Sequence, residues 1–487
     1  MPALVKQTGP YFLLFLLAAG LYLFWWDVAW FWDDFQMVWS DPEGKILYWF
    51  AYKNPQNGFY RPIQGAMLAL SQAWYGGDNR FLHAVQFLLH GAMGSVIFWG
   101  LRRFGFSLTQ ALVAGILMVV SQGATLAVLS NDTFSQLLGT LTGVSAVLLI
   151  GLVLKDSRFR VLTHPMIWVA LFLVGVSLLS KESSAIFPAI VVAMLWLGAV
   201  WGNLKAPSAW TRFLFQALPF VAVTLLYLVV RQSVVGADAS LGESKYNFAL
   251  GMNIPKNVLL LLASGLMPAS TVTAFLAAKT RDFVVLGGIG LLTAVWCGVL
   301  VWGIVHRRYW RWGAIFGGVA LLGTFPMALL NHVSELYVYN SLPFLCALSG
   351  IAVGGLLAER SGAVRWVVGA VLGVVVLANV LGVEGKAQRM HNNGVEAAAL
   401  LNSAVREAEE LPENARMVLQ NPPTDRPLYS IFEMNGFELI QYADDEIKRL
   451  AHRPDLTVEI PRKALVPKAI DGAHVFTVLG TKLVPVN

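Results

Sequence analysis

Long apolar runs separated by short polar breaks dominate the chain between residues 10 and 384. A helix needs about 20 apolar residues to cross the hydrocarbon of a bilayer. The pattern predicts spans near 10–32, 80–101, 108–127, 134–154, 165–180, 184–201, 212–230, 283–305, 313–330, 338–357 and 366–384, about eleven in all. Residues 257–278 are apolar enough to make one more. Pro255, Pro268 and a Ser/Thr-rich patch interrupt that stretch. If it crossed, His306-Arg307-Arg308 would face outward, against the tendency of basic loops to stay in the cytoplasm. We therefore read it as an interfacial or re-entrant element on the outer face.

Orientation follows from the basic residues. Arg102, Arg103, Lys155, Arg158, Arg160, Lys205, Arg307, Arg308, Arg311, Arg360 and Arg365 fall on one side, which is then cytoplasmic. The outer side receives the first loop (33–79), the Asn131–Asp132 turn, the Lys181–Glu182 turn, the 231–282 segment and the 331–337 turn. Small-xxx-small pairs at Gly139/Gly143, Gly350/Gly354 and Gly369/Gly373 predict close helix packing rather than chemistry.

After Glu384 the pattern changes. Residues 391–411 read as an amphipathic helix, and short β-like runs follow at Arg416–Leu419, Thr457–Ile460 and His474–Leu479. This predicts a transmembrane domain over 1–384 and a small α/β soluble domain over 385–487. An odd number of spans places the latter outside the cytoplasm.

Composition agrees with a multi-pass membrane protein. The 487 residues are 56% hydrophobic and 13% charged, with a mean hydropathy of +0.61, too apolar for a soluble enzyme. The net charge of +6 sits in short loops between apolar runs and does not point to nucleic acid. Cys297 and Cys346 lie inside apolar segments and supply neither a disulfide framework nor a metal pattern. The sequence has no GxxxxGK[ST], HExxH, CxxC or GxSxG motif, which argues against ATP-driven, zinc-hydrolase and serine-hydrolase chemistry.

The candidate chemistry gathers on the outer side. Trp25 to Phe35 reads WWDVAWFWDDF, with Asp33 and Asp34 just beyond an aromatic cluster of the kind that marks a membrane–water boundary. Carboxylates half out of water there can be held with raised pKa and accept protons. They can equally be a solvated stop after a span. Tyr60-Arg61-Pro62 opens a predicted helix over Ile63–Trp74, which puts Arg61 at an N-terminus that favours anions; the alternative is an arginine snorkelling to headgroups. His83 and His90 share a helix face about 10 Å apart, too far to bind one metal. His83 is near enough to the outer mouth to meet a substrate, and His90 reads as packing. Asp132 reads as a helix N-cap. Lys181-Glu182 is either a self-neutralising pair in a tight turn or a fixed ammonium for a phosphate, oriented by Glu182. Arg231 opens the loop from Gly236 to Gly251, a candidate lid. Tyr337 and Tyr339 sit at another outer helix end, as sugar contacts or aromatic-belt members.

Taken in order, the acidic pair after the first span, the YRP segment, the two histidines on the second span and the outer Lys-Glu turn resemble the GT-C superfamily of integral membrane glycosyltransferases. The resemblance covers about residues 10–384 and is to the branch of protein O-mannosyltransferases, bacterial aminoarabinose transferases and TMTC-type O-mannosyltransferases. It implies a sugar donor on a polyprenyl phosphate and an acceptor hydroxyl on protein, lipopolysaccharide or another glycan. It also implies inversion at the anomeric carbon and a site on the periplasmic face of the bacterial inner membrane. The first acid of the pair is the family's base, so Asp33 takes that place and Asp34 supports it. The family has Asp-Glu where this chain has Asp-Asp, which leaves the second role less defined. Arg61, Lys181 and Arg231 would meet the donor phosphate, with His83, Glu182, Tyr337 and Tyr339 around the substrates. No metal ligand set is evident, and a divalent metal is left open. The rival readings are a flippase for lipid-linked sugars, which calls for ionisable residues at mid-bilayer depth, and a polysaccharide polymerase or ligase, which needs no acidic pair beside the first span.

Overall fold

The computed structural model describes residues 2–38, 46–53, 59–75, 78–155, 164–201, 207–235, 249–358, 362–421, 430–461 and 467–486. Residues 236–248 of the expected 236–251 lid, and part of the first outer loop, lie outside these residues.

The first apolar run is helical only to its midpoint. Helix α1 covers Pro2–Tyr22 and tightens into a 3-10 turn at Leu23–Trp25. The expected span to residue 32 is thus shortened, because residues 28–31 leave the helix. The reason is hydrogen bonding: the Val28 carbonyl accepts from the side chains of Asn79, His83 and Asn131 rather than from a helical amide. Trp32 then turns with φ +52°, a left-handed value uncommon outside glycine. Short helices α2 (Phe35–Val38) and α3 (Tyr48–Ala51) follow, and α4 (Pro62–Tyr75) begins at the expected proline.

The bundle proper comes next. Helix α5 (Asn79–Phe104) starts on an Asp78 cap and stops at Gly105, whose φ of +95° suits glycine. Helix α6 (Leu108–Val120) opens with a Ser107/Gln110 capping box. A 48° bend at Ser121 separates it from the stretch containing α7 (Thr125–Leu129). Helices α8 (Phe134–Lys155), α9 (Pro165–Ser180), α10 (Ile186–Trp201) and α11 (Pro207–Val235) continue the bundle.

The stretch set aside as non-crossing forms two helices, α12 (Asn253–Leu266) and α13 (Thr271–Thr280), bent at 119° to each other. Met267 is extended between them, and the Ser270 hydroxyl caps α13. Helices α14 (Phe283–His306), α15 (Trp310–Ala328) and α16 (Leu342–Leu357) complete the bundle. Among the described residues, six helices are long and apolar enough to cross a membrane, or eight if each bent pair is one span.

Glycine decides the tightest contacts. A Cβ on Gly350 would lie 2.4 Å from the Ala114 Cβ, and one on Gly354 would lie 2.5 Å from the Gln110 Cα. Helices α6 and α16 therefore pack backbone to backbone. Gly139 and Gly143 admit Ser184 and Phe187 in the same way. Gly369 and Gly373 meet nothing closer than 3.9 Å, so that pair, expected to pack, makes no tight contact among the described residues.

The last span and the amphipathic helix expected as separate elements are one. Helix α17 runs unbroken from Gly362 to Glu410, through the composition change at Glu384. Its second half packs on a four-stranded sheet of order β2-β1-β3-β4, built from β1 (Arg416–Gln420), β2 (Thr457–Glu459), β3 (His474–Leu479) and β4 (Lys482–Pro485). Strand β1 pairs parallel with β2 and β3, aligning Val418 with Glu459 and Val475, and β3 pairs antiparallel with β4. Helix α18 (Asp444–Leu450) covers β2.

Candidate functional site

Helix ends and turns on one side of the bundle enclose a cavity of about 150 Å³. Its walls come from Trp32, Asp33 and Gln36 after α1, Phe59 and Arg61 before α4, Leu126 in α7, and Ser130, Asp132 and Thr133 before α8. Lys181 between α9 and α10, the 332–337 segment before α16, and Ile431 of the C-terminal domain close it. The basic ends of α5 and α8 meet at the other end of the bundle, where the Lys155 ammonium donates to the Arg103 carbonyl at 3.0 Å.

The two neighbouring aspartates are treated differently. Asp33 faces the cavity, and its Oδ1 accepts from Gln36 Nε2 at 2.9 Å. Asp34 is 1% exposed. Its Oδ1 accepts from the Asp132 amide at 3.2 Å and the Ser130 hydroxyl at 3.4 Å; its Oδ2 accepts from the Phe31 amide at 3.1 Å and Asn131 Nδ2 at 3.0 Å. Burial, and then the charge of Asp132, push the Asp34 carboxyl up from the usual carboxylate range, while these donors pull it back. Asp34 thus ties the turn after α1 to the turn before α8 from behind the cavity wall.

The cations are also sorted. Arg61 Nε donates to both carboxylate oxygens of Glu182, at 2.9 and 3.2 Å, and the guanidinium lies 4.1 Å from the Phe59 ring centroid. Glu182 therefore grips Arg61 rather than serving only its neighbour Lys181. Lys181 is extended (φ −155°, ψ 142°), which sends successive side chains to opposite sides. Its ammonium reaches the cavity although the residue is only 5% exposed. Burial, and then the Arg61 charge, lower its pKa to about 8, against the opposing pull of Asp132, Glu182 and Asp33.

Of the other sequence candidates, Tyr337 lines the cavity. Tyr339 is fully buried behind it, where its hydroxyl lies 2.9 Å from His90 Nδ1. His90 Nε2 faces the Val119 carbonyl at 3.0 Å, which can only accept, so Nε2 carries the proton and Nδ1 accepts from Tyr339. His83, also fully buried, bonds the Val28 carbonyl at 3.2 Å and is not part of the cavity lining. Arg231 stands one turn beyond Tyr227, whose ring is 6.4 Å from that of Tyr60. It therefore lies on the Arg61 side without lining the cavity, and its Nε is buried with no hydrogen-bond partner among the described residues.

Several lining residues escaped sequence reading. Asp132 shows no capping bond from its side chain; its carboxylate accepts from the Ser130 hydroxyl at 2.7 Å and faces the cavity with Asp33. His332, Ser334 and Ile431 come from segments with no motif. Among the described residues, no three His, Cys, Asp or Glu side chains gather as a metal set.

No family model matches the sequence, and no curated protein is similar enough to match it. Solved structures do match. The Archaeoglobus fulgidus oligosaccharyltransferase in its apo form aligns with a TM-score of 0.54 at 12% identity, over 94% of this chain and 65% of that one. ArnT from Cupriavidus metallidurans bound to undecaprenyl phosphate aligns with a TM-score of 0.51 at 13% identity, over 93% of this chain and 90% of that one. The chain has the GT-C fold. The archaeal enzyme AglB, solved with an inhibitory peptide and a dolichol-phosphate, gives a TM-score of 0.51 at 12% identity. The chain spans 65% of the length of that oligosaccharyltransferase. In this GT-C fold the first acidic pair, the YRP segment and the Lys-Glu turn, far apart in sequence, converge around one cavity.

Proposed function

We propose that this protein transfers a sugar from a polyprenyl-phosphate-linked donor to an acceptor hydroxyl on the outer face of the membrane, with inversion. The observation that carries the reading is the shared cavity, where a solvent-facing carboxylate, Asp33, opens onto the same space as the Lys181 ammonium and Arg61. ArnT bound to undecaprenyl phosphate and AglB in complex with a dolichol-phosphate have the same fold and support a lipid-phosphate donor.

In this scheme Asp33 takes the proton of the acceptor hydroxyl as its oxygen bonds to the anomeric carbon. The bond from that carbon to the phosphate oxygen breaks, and its electron pair leaves with the polyprenyl phosphate. Lys181 and Arg61 meet the growing negative charge, an interaction that strengthens toward the transition state and therefore raises turnover. Glu182 and Phe59 hold the guanidinium in place, and Arg231 would add positive charge on the Tyr227 side. Asp132 adds a second carboxylate to the acceptor side. With Asp33 it makes two oxygen-donor groups rather than three, and the scheme routes no step through a metal. Protein, lipopolysaccharide and glycan hydroxyls all fit the acceptor role.

The proposal includes a topology of about eleven spans, the N-terminus inside, the C-terminal domain outside, and α12–α13 re-entering on the outer face of a bacterial inner membrane. The 119° bend between α12 and α13 supports that placement. Cysteines introduced at Lys279 and His306 test it: the first should react with impermeant reagent from outside and the second only from within. Labelling of Lys279 from the cytoplasm alone would overturn the arrangement. The chemistry is tested in nanodiscs, where polyprenyl-phosphate sugars should release polyprenyl phosphate only when an acceptor is supplied.

A further inference from the structure

Away from the carboxylates and cations of the cavity, the described residues hold one fully buried ion pair. Lys386 lies in the middle of α17, fully buried, with its ammonium 2.5 Å from Glu335 Oε1. It also donates to the Gln122 carbonyl at 3.0 Å and to the Gln122 side-chain oxygen. An ammonium has three donors, and these three acceptors use them. The Phe432 ring of the C-terminal domain lies 5.4 Å from the same nitrogen. Glu335 Oε1 accepts as well from the Thr271 hydroxyl at the start of α13, at 3.0 Å. Gln122, at the break between α6 and α7, donates to the carbonyls of Ser264 and Met267 at 3.1 and 3.3 Å. One nitrogen thus joins the α6–α7 break, the α12–α13 hairpin, the 335–340 turn and the helix that bears the soluble domain.

The cost of this arrangement points to its role. Two charges taken out of water are often no more stable than a pair of apolar side chains of similar size. Moreover Glu335 Oε2 is buried with no hydrogen-bond partner among the described residues, which is not what a pair optimised for stability would show. What it fixes is position. Residues 332–334, 336 and 337, on either side of Glu335, line the cavity, and Ile431, next to Phe432, lines it from the soluble domain.

We propose that the Lys386–Glu335 pair is a positioning device that sets the 332–337 wall of the cavity and registers the C-terminal domain against it. Its effect on turnover rests on the transferase reading, whereas its effect on the wall does not.

The test uses the full-length protein in nanodiscs, with Lys386→Met and the double variant Lys386→Met/Glu335→Gln. Three quantities are read: thermal stability, amide exchange of the 332–337 peptide, and kcat and KM for transfer. The single variant strands a buried carboxylate and should lose stability. The double variant removes both charges and should regain it, yet its 332–337 amides should exchange about tenfold faster than wild type because the anchor is gone. Its kcat should fall while donor affinity stays. Wild-type exchange in a stable double variant would overturn the proposal. So would a double variant that fails to fold, since the pair would then be holding the fold rather than one segment. If wild-type protein transfers nothing from polyprenyl donors, the transferase reading fails alone, and the exchange measurement still decides the positioning role.

Discussion

The cavity wall and the layer directly behind it are built from neighbouring residues and behave as opposites. In front stand Asp33, Asp132, Arg61, Lys181 and Tyr337, with access to a shared space. Behind them stand Asp34, His83, His90, Asn131 and Tyr339, buried and engaged with other protein groups. Asp33 and Asp34 are adjacent in sequence and fall on opposite sides of this divide. The back layer spends its polar groups on fixing loops, and the front layer keeps its groups turned to the cavity. A pair of acids in sequence thus occupies two environments, one lining the cavity and one buried among hydrogen-bond donors.

The sharpest way to break this comparison is to remove each carboxylate alone. Asp33→Asn keeps the shape and removes the proton acceptor. Transfer should drop by about a hundredfold or more, the usual worth of a general base, with thermal stability unchanged. Near-normal transfer by this variant would take the base role from Asp33. Asp34→Asn should do the reverse. An amide cannot accept on both ends, so one pair of donors loses its partner, at a cost of about 2–3 kcal/mol. The melting temperature should fall, and folded protein should keep kcat within a few-fold. A stable Asp34 variant with no turnover would reverse the front and back assignments.

The cation side offers smaller effects. Arg61→Lys retains charge but loses the planar guanidinium whose Nε–H is shared by both Glu182 oxygens, so transfer should fall roughly tenfold, the scale of one charge-assisted hydrogen bond. A silent swap would return Arg61 to a headgroup contact. The smallest effect is the pH response of Lys181. Burial holds its pKa down at about 8, below the 10.5 of a free lysine, so the ammonium is charged at pH 7 and loses its proton as pH rises through 8. Binding of a polyprenyl phosphate should weaken a few-fold between pH 7 and 9. Folding stability moves the other way over the same range, because from 8 up to 10.5 the unfolded chain holds the proton that the folded chain has shed. Flat affinity in wild type, or an unchanged fall in Lys181→Met, would put the titrating group elsewhere.

The mostly helical, apolar character of the chain, the small C-terminal sheet and the proline that starts α4 were legible in sequence, because hydropathy and local backbone chemistry are written at consecutive positions. The family resemblance grouped Asp33, Arg61, Lys181 and Arg231; the fold sets the first three around one cavity and leaves Arg231 out of its lining. The early end of α1 was not legible. It depends on Asn79, His83 and Asn131 reaching back to the Val28 carbonyl, a set of tertiary contacts with no periodic signature. The cavity role of Asp132 was hidden for a similar reason, since a polar residue before a helix looks like a cap until its partners are seen. Lys386 was overlooked because a lysine just past an apolar run reads as a solvated flank. Only the fold brings Glu335 to it, from fifty-one positions away.

The unbroken α17 has a mechanical consequence. At 1.5 Å per residue its 49 residues make a rod about 74 Å long, more than twice the thickness of the hydrocarbon. A rod without a hinge transmits torque. A single residue inserted near Glu384 would therefore turn everything beyond it by about 100° relative to the half before it. The C-terminal sheet packs on the far half of this same rod, so its placement follows the helix's register.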